Sequence, residues 1–538
     1  MRSEASSPQP LGEGSTWQLA GAALVFSALS ACVALTFRDY GITWDEYVQQ
    51  NYGERVFRYF SSSFRDLSAT EYLDLYAYGG SFDLLAVLLQ KLVRLDPYDV
   101  RHGLNAFVGL VGIAGTYRLA AGIKGPRAGL LALMFLASCP RWWGHMFANP
   151  KDIPFAAGFV WALLYLREVG KRIPSVPLSL WVKLGVAIGV TLSIRVGGVL
   201  LFAFLGLELA WQMFRTPPRL WHVGIFRCAP QAVSTVVIAW VIMVAAWPWA
   251  HRSPLANPVR AFLLFAHFPS RGMNLMAGKE HFSGAPPYDY GLHWFGVTIP
   301  ELHIVVLVAG ACLAAFAVAR RARHQLSISG DVVRLCLVVS LPELYISLSK
   351  ATLLDEVRHS LFVLPPLMVL AAISFDSLMS KLPRNLKILG LAACVAWGGD
   401  HLRHVVTLHP YEMVYFNRFV GRLNGAADSY ETDYWGSSFR EAARRLNELV
   451  PRRRPFDGRN GDRWLVSGCG SPTSWSHYLG PQFKVALDPS SADFFFVHKR
   501  WHCDERFRGT RLLSVERFGV SLSSVVRAAE GIDAELAK

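Results

Sequence analysis

The sequence predicts an all-α polytopic membrane protein of about 11 transmembrane helices, with a small C-terminal α/β domain outside the membrane. Three observations carry that prediction. The chain is 52% hydrophobic and only 17% charged, too apolar for an ordinary soluble protein of 538 residues. Its apolar residues fall in repeated blocks of roughly 18 to 21, the length that crosses a bilayer as a helix. Most Lys and Arg lie in short loops between these blocks, where positive charge marks the cytoplasmic side. The formal charge of +14 is therefore largely a topology signal, and nucleic acid is not an expected partner.

Residues 1–16 are short and polar, and are expected in the cytoplasm. The run at 17–37 is too long for a signal-peptide core and lacks a small-residue cleavage site, so it reads as a retained first span. Residues 38–101 then form a first outer loop with helices expected at 44–60 and 81–95. The second of these is short for a span and carries Asp83, Gln90, Lys91 and Arg94. It reads as an amphipathic helix lying flat in the interface.

Charge parity supports that choice. With 81–95 not crossing, the spans fall at about 17–37, 102–121, 127–140, 153–169, 180–195, 197–214, 231–250, 299–320, 331–349, 359–377 and 385–403. The inner loops then hold Lys124/Arg127, Arg167/Lys171/Arg172, Arg215/Arg219/Arg227, Arg320/Arg321/Arg323 and Lys381/Arg384/Lys387. If 81–95 did cross, every cluster would move outside. The run at 127–140 is the weakest span because it is short.

Residues 17–403 are thus the transmembrane domain, and 404–450 a membrane-proximal outer segment. Within it, 411–436 is aromatic and acidic, with Asp428, Glu431, Asp433 and Trp435. Ser438-Phe-Arg-Glu441 reads as a capping box opening an amphipathic helix. Residues 451–538, beginning with Arg452-Arg453-Arg454, alternate turns with β-like runs at 464–467, 483–487, 493–497 and 512–515: a small α/β domain of about 85 residues. Six of the eight cysteines lie in or beside apolar runs. Cys469 and Cys503 lie in this tail, where a disulfide and two free thiols are both open. No Cys or His grouping has metal-site spacing, so a divalent metal is not indicated. The absence of an Asn-x-Ser/Thr sequon fits a bacterial inner membrane, with the C-terminal domain in the periplasm.

Charged groups collect on the outer side. Thr43-Trp44-Asp45-Glu46-Tyr47 places two acids at a membrane surface, where a carboxylate is easily poised as a base. It also reads as a solvated start to an amphipathic helix. Beyond it come Arg101/His102, Asn149-Pro150-Lys151-Asp152, Arg195 and Lys350…Asp355-Glu356…Arg358-His359, each abutting a span end. Singly, each charge reads as a snorkelling or interhelically paired group, Arg195 especially. Together they suggest a site for a ligand that is anionic yet lipid-attached. Trp142-Trp143 and Trp247-Pro-Trp249 read as interfacial anchors.

Over residues 17 to 400 this order of motifs resembles the GT-C class of lipid-linked-sugar glycosyltransferases, nearest to the protein O-mannosyltransferase and aminoarabinose-transferase group (family 39-like). The carrying residues are Asp45-Glu46 after the first span, Arg101 opening the next, Asp152 in the second outer loop, and Arg358-His-Ser-Leu-Phe-Val-Leu-Pro365. One departure stands out. Tyr76-Ala-Tyr-Gly-Gly-Ser-Phe-Asp83 occupies the place of that group's Lys-Pro-Pro or His-Pro-Pro segment, leaving the usual phosphate-binding cation unassigned.

The resemblance implies transfer of a hexose-like (mannosyl-type) sugar from a polyprenyl-phosphate donor to a glycan, lipid or protein acceptor, with inversion. Such a reaction needs a base for the acceptor hydroxyl, cations for the departing phosphate and a groove for the isoprenoid. Asp45 is assigned as base, with Glu46 as alternative or orienter. Adjacent acids on a helix point about 100° apart, so both can hardly face one atom. Arg101, Lys151, Arg195, Arg358 and His359 are the phosphate candidates, and Asp152 is expected to hold sugar hydroxyls or one of these cations. The alternative is a transporter or flippase of lipid-linked intermediates. That reading calls for repeats and mid-membrane polar residues, of which Glu208 and Glu343 are the main examples.

Overall fold

The structure is a computed structural model that describes residues 13–217, 221–266, 268–270, 272–321, 329–349, 351–450 and 463–529. The N-terminal 12 residues, Arg219, Arg323, Lys350 and Arg452-Arg453-Arg454 lie outside them. In chain order come α1 (Glu13–Thr36), α2 (Trp44–Ser61), α3 (Ser81–Leu92), α4 (Pro97–Lys124), α5 (Pro126–Ala137) and α6 (Pro140–Ala148). Next are α7 (Asp152–Arg172), α8 (Leu178–Leu192), α9 (Leu200–Arg215), α10 (Trp221–Ala245), α11 (Pro248–Arg252) and α12 (Ala256–Ala266). An antiparallel hairpin, β1 (Met273–Met276) and β2 (Lys279–Phe282), leads through α13 (Tyr290–Thr298) to α14 (Glu301–Arg321), α15 (Gly330–Ser349), α16 (Leu364–Lys381) and α17 (Arg384–Leu408).

Each predicted span falls mainly on helix, and seven helices among the described residues are long and apolar enough to cross a membrane. This is a membrane protein. Pro126–Ala137, Leu178–Leu192 and Glu301–Phe316 are shorter apolar helices. The predicted run at 127–140 is not one helix: α5 stops at Ala137, and the chain bends through Ser138–Cys139 into α6. Helix α3, at 12 residues, reaches only about 18 Å, too short to cross.

Local sequence explains the breaks. Asp96 caps α4 by accepting from the Tyr98 amide at 2.9 Å, with Pro97 at the first helical position. Gly125, at φ +91°, ends α4 in a backbone region that a β-carbon disfavours, and Pro126 starts α5. Glycines 109, 112 and 115 on α4 let neighbouring helices approach closely: a Cβ at Gly109 would sit 2.5 Å from Met146 Cβ. On α1, Leu24 and Leu35 stand exposed, as suits a helix facing lipid.

After α18 (Arg422–Ala426) and α19 (Phe439–Leu449), the C-terminal unit is a five-stranded sheet in the order β4-β3-β5-β7-β6. Its strands are β3 (Trp464–Gly468), β4 (Phe483–Val485), β5 (Phe494–Val497), β6 (Gly509–Arg517) and β7 (Val520–Ala528), with α20 (Thr473–Ser476) and α21 (Cys503–Arg506) between. The strand β3 is parallel to β4 and β5, and β7 is antiparallel to β5 and β6. Four strands match predicted runs. The fifth, β7, is serine-rich and was not foreseen; tertiary pairing makes it a strand. Helix α19 packs on this sheet, with Phe439 edge-on to Phe496 at 5.8 Å.

The predicted capping box at Ser438 does not form. The Ser438 hydroxyl goes to Ser523 Oγ at 2.6 Å, while the Glu441 carboxylate accepts from Tyr411 Oη at 2.8 Å. Asp433 takes the orphan amides instead, accepting from Ser437 N at 3.0 Å and Ser438 N at 2.7 Å. Cys469 and Cys503 form a disulfide, with Cα atoms 6.2 Å apart.

Candidate functional site

The first turn of α2 sends its two acids in opposite directions. Glu46 is fully buried and caps its own helix: it accepts from Thr43 N at 2.9 Å and Thr43 Oγ1 at 3.1 Å. Its other oxygen lies 2.9 Å from His102 Nε2 on α4. Asp45, one residue earlier, turns outward to the loop before α16, where Arg358 Nη1 donates to its Oδ2 at 2.9 Å.

Arg358 is the hub of the arrangement. Its Nη2 lies 2.9 Å from Asp355 Oδ2, and its Nε donates to the Leu354 carbonyl at 3.3 Å, so every guanidinium nitrogen is engaged. Asp355 in turn pairs with Arg500 of the C-terminal unit. That Arg500 guanidinium lies 5.0 Å from the ring centre of Trp44 and 4.4 Å from that of Trp501. Burial would push the Asp355 carboxyl up, but Arg500 and Arg358 together hold it below the usual range. Residues from α2, the loop before α16 and the sheet domain are thus locked into one network.

A second set meets it from the start of α7 and the connection between α8 and α9. Asp152 pairs with Arg195 and accepts from Asn149 Nδ2 at 2.9 Å. Its charge also acts on Arg358. Arg195 Nη2 lies 3.4 Å from His359 Nδ1, and the opposite ring atom, His359 Nε2, is buried with no hydrogen-bond partner among the described residues. Arg195 and His359 open into an apolar groove of about 410 Å³ between α9, α12 and α15, walled by Phe155, Leu200, Phe262, Tyr345 and Phe362.

Tyr78, from the segment that departs from the family pattern, also lines this groove. That segment is pinned: Trp247 Nε1 donates to Tyr76 O at 2.8 Å, and Tyr52 Oη donates to Tyr78 O at 2.9 Å. Lys151 Nζ lies 4.5 Å from the Tyr78 ring centre.

Arg101 stands apart. It is fully buried and donates both terminal nitrogens to Asp83 Oδ1, at 2.8 and 2.6 Å. Burial pushes Asp83 up to about 6 against the pull of Arg101 and Lys151. Of the predicted residues, then, the structure gathers Asp45, Asp152, Arg195, Arg358 and His359, sets Lys151 beside the groove, and buries Glu46 and Arg101 behind it. Sequence reasoning passed over Arg141, which forms a buried pair with Glu356, and Arg500. Arg141 follows Pro140 at a span end and belonged to the same pattern. Nothing local marks Arg500. Among the described residues no group of three or more His, Cys, Asp or Glu could hold a metal ion.

The sequence matches no protein-family model and no curated protein. Solved structures do match. ArnT from Cupriavidus metallidurans in its apo state aligns at TM-score 0.52 and 15% identity over 97% of this chain and 99% of that one. The same protein bound to undecaprenyl phosphate aligns at TM-score 0.51 and 15% identity, over 96% and 99%. An Archaeoglobus fulgidus oligosaccharyltransferase aligns at 0.44 and 13% identity, over 86% of this chain and 63% of that chain. The chain shares the GT-C fold with ArnT over nearly its whole length.

Proposed function

We propose that this protein transfers a monosaccharide from a polyprenyl-phosphate donor to an acceptor hydroxyl at the non-cytoplasmic membrane surface. The single observation that carries this reading is the apolar groove ending at Arg195 and His359, next to the Asp152, Arg358 and Asp45 charges. An isoprenoid needs apolar walls, and its phosphate needs cations and a buried donor at the groove's mouth. ArnT, the structural neighbour, has been captured with undecaprenyl phosphate.

The residues take the following roles. Asp45 is the base, and Arg358 holds it aimed by donating to its Oδ2. With its own nitrogens committed, Arg358 is a positioning group more than a phosphate clamp. Arg195, His359 and Lys151 receive the phosphate; Lys151, above Tyr78, supplies the cation that the 76–83 segment lacks. Asp152 orients Arg195. Glu46 braces α2 against α4, and Arg101 braces α4 against α3. In the reaction the acceptor oxygen bonds the anomeric carbon as its bond to the phosphate oxygen breaks. The electron pair leaves on polyprenyl phosphate, and the hydroxyl proton passes to Asp45. One such displacement inverts the anomeric centre.

The Cys469–Cys503 disulfide supports an oxidising compartment for the sheet domain, and the basic loops at the opposite end of the bundle support a cytoplasmic location there. The deciding experiment measures sugar release from a polyprenyl-phosphate donor by the purified Asp45→Asn variant. Turnover equal to wild type removes Asp45 from the mechanism.

A further inference from the structure

A second cavity, of about 310 Å³, lies between the sheet domain, the 427–434 segment and the β1–β2 hairpin. It is at the lower end of the ~300–1,000 Å³ of small-molecule sites. Its chemistry is opposite to that of the groove. Glu280, Glu431, Lys499 and Arg500 bring both signs of charge, and Tyr430 and Trp501 add aromatic rings. Trp501 stays 43% exposed, yet it is held firmly: its Nε1 donates to the Met273 carbonyl at 3.2 Å. Its backbone sits at φ +53°, a conformation that costs a bulky residue energy and persists only where the surroundings impose it.

The cavity is also wired to the proposed base. Trp501 stacks on Trp44 at 5.8 Å and 11°, and Trp44 immediately precedes Asp45. Arg500, in the cavity wall, reaches Asp45 through Asp355 and Arg358.

We propose that this cavity is the acceptor subsite, and that the acceptor it takes is a neutral pyranose unit of a glycan. The inference rests on the glycosyl-transfer reading and adds its missing second substrate. A pyranose has an apolar C–H face that covers an aromatic ring, and hydroxyls that donate to carboxylates and accept from Lys and Arg. A lipid chain would find few apolar walls here and would displace water from these charged groups without offering them a hydrogen bond. An anionic acceptor would meet Glu280, Asp428, Glu431 and Asp433 along the same wall. With one pyranose unit held here, the glycan's reacting hydroxyl reaches Asp45 beyond Trp44 and gives it its proton as the hydroxyl oxygen bonds the donor's anomeric carbon, while the polyprenyl phosphate departs with the electrons of the broken bond.

The test uses the full-length protein in lipid nanodiscs and a neutral methyl hexopyranoside carrying a diazirine. After photolysis, the labelled peptides are mapped by mass spectrometry, with unlabelled methyl hexopyranosides as competitors. Labelling should fall on the 427–434 and 499–502 peptides and be competed away. Trp501→Ala and the isosteric Glu431→Gln should each cut labelling about tenfold, the loss expected of an anchoring contact. Trp501→Phe, which keeps a ring, should restore much of it and guards against simple misfolding of the alanine variant. Labelling elsewhere, or labelling that neither substitution lowers, overturns the acceptor subsite. Undecaprenyl-phosphate affinity of the wild type, measured in parallel, separates the failures. If the lipid binds and the cavity stays unlabelled, only the subsite falls. If the lipid does not bind, the donor reading falls and takes the acceptor role with it.

Discussion

The two ends of the helical bundle both bury charged side chains and use them differently. At the end formed by the close of α4, α7 and α9 and the start of α15, Arg167 donates to Asp331 at 3.0 and 3.1 Å and to Glu168 at 2.9 Å. Arg334 there donates to Glu208 at 3.0 Å and to Asp331 at 3.2 Å. These pairs border a cavity of about 230 Å³ whose lining is otherwise almost wholly apolar. Each cation is matched to acids on neighbouring helices. At the other end the pairs are incomplete: among the described residues His359 Nε2 has no hydrogen-bond partner, the Arg195 side chain keeps 20% of its exposure, and Lys151 rests on a ring. Buried ion pairs by themselves mark helix packing; donors left unspent beside a cavity mark a site.

The sharpest way to break this contrast is to remove one carboxylate from each end. Asp45→Asn should lower glycosyl transfer by about 10²–10⁴-fold, the share typical of a positioned base, and Glu208→Gln should leave turnover near wild type. Equal losses in the release assay would erase the distinction. Next in size is stability. Arg358→Ala leaves Asp45 and Asp355 without a shared partner and should cost about 3–5 kcal/mol in denaturant titration, as should Arg334→Ala at the opposite end. Here the two ends are expected to behave alike, and a stable Arg358→Ala protein would show that the hub does not hold the fold together.

A smaller effect sharpens the difference again. Arg195→Ala should weaken undecaprenyl-phosphate binding by about ten- to a hundredfold, the worth of one charged hydrogen-bonding group, while Arg101→Met should leave it unchanged. The smallest effect is a pH dependence. Burial first, against the pull of Arg500, pushes Glu431 up to about 7. Unfolded, the same carboxyl titrates near ~4.3. Its contribution is therefore fully present below pH ~4.3 and is lost as pH rises through about 7, because the folded state alone keeps the proton. Glu431→Gln should then gain about 1–3 °C in melting temperature over wild type between pH 5 and 8, and a constant gap would refute the assignment.

Legibility followed the range of each interaction. Asp45, Asp152, Arg195 and Arg358 were readable because each lies at or near the end of an apolar run, so the hydrophobic pattern alone placed them at one depth. Glu46 was equally conspicuous, yet its capping role needs only Thr43 three residues earlier, and helix geometry then turns it from its neighbour. Arg101 looked like an exposed span-opening cation, and only the docking of α3 against α4 tied it to Asp83. Arg500 left no trace, since its partners, Asp355 and Trp44, come from distant parts of the chain. The Ser438 box misled because a sheet strand offered Ser523 and Asp433 covered the helix start.

What the sequence determined by itself is whatever follows from hydrophobic length and local charge: the apolar helices, a 12-residue α3 too short to cross, the small C-terminal sheet, and two unlike helix-bundle ends. Those are properties of short stretches meeting lipid or water, and composition encodes them directly. The tertiary structure decided which charges spend themselves on one another and which remain open to a ligand. That choice depends on the directions of side chains hundreds of residues apart, set by packing that no window of sequence contains.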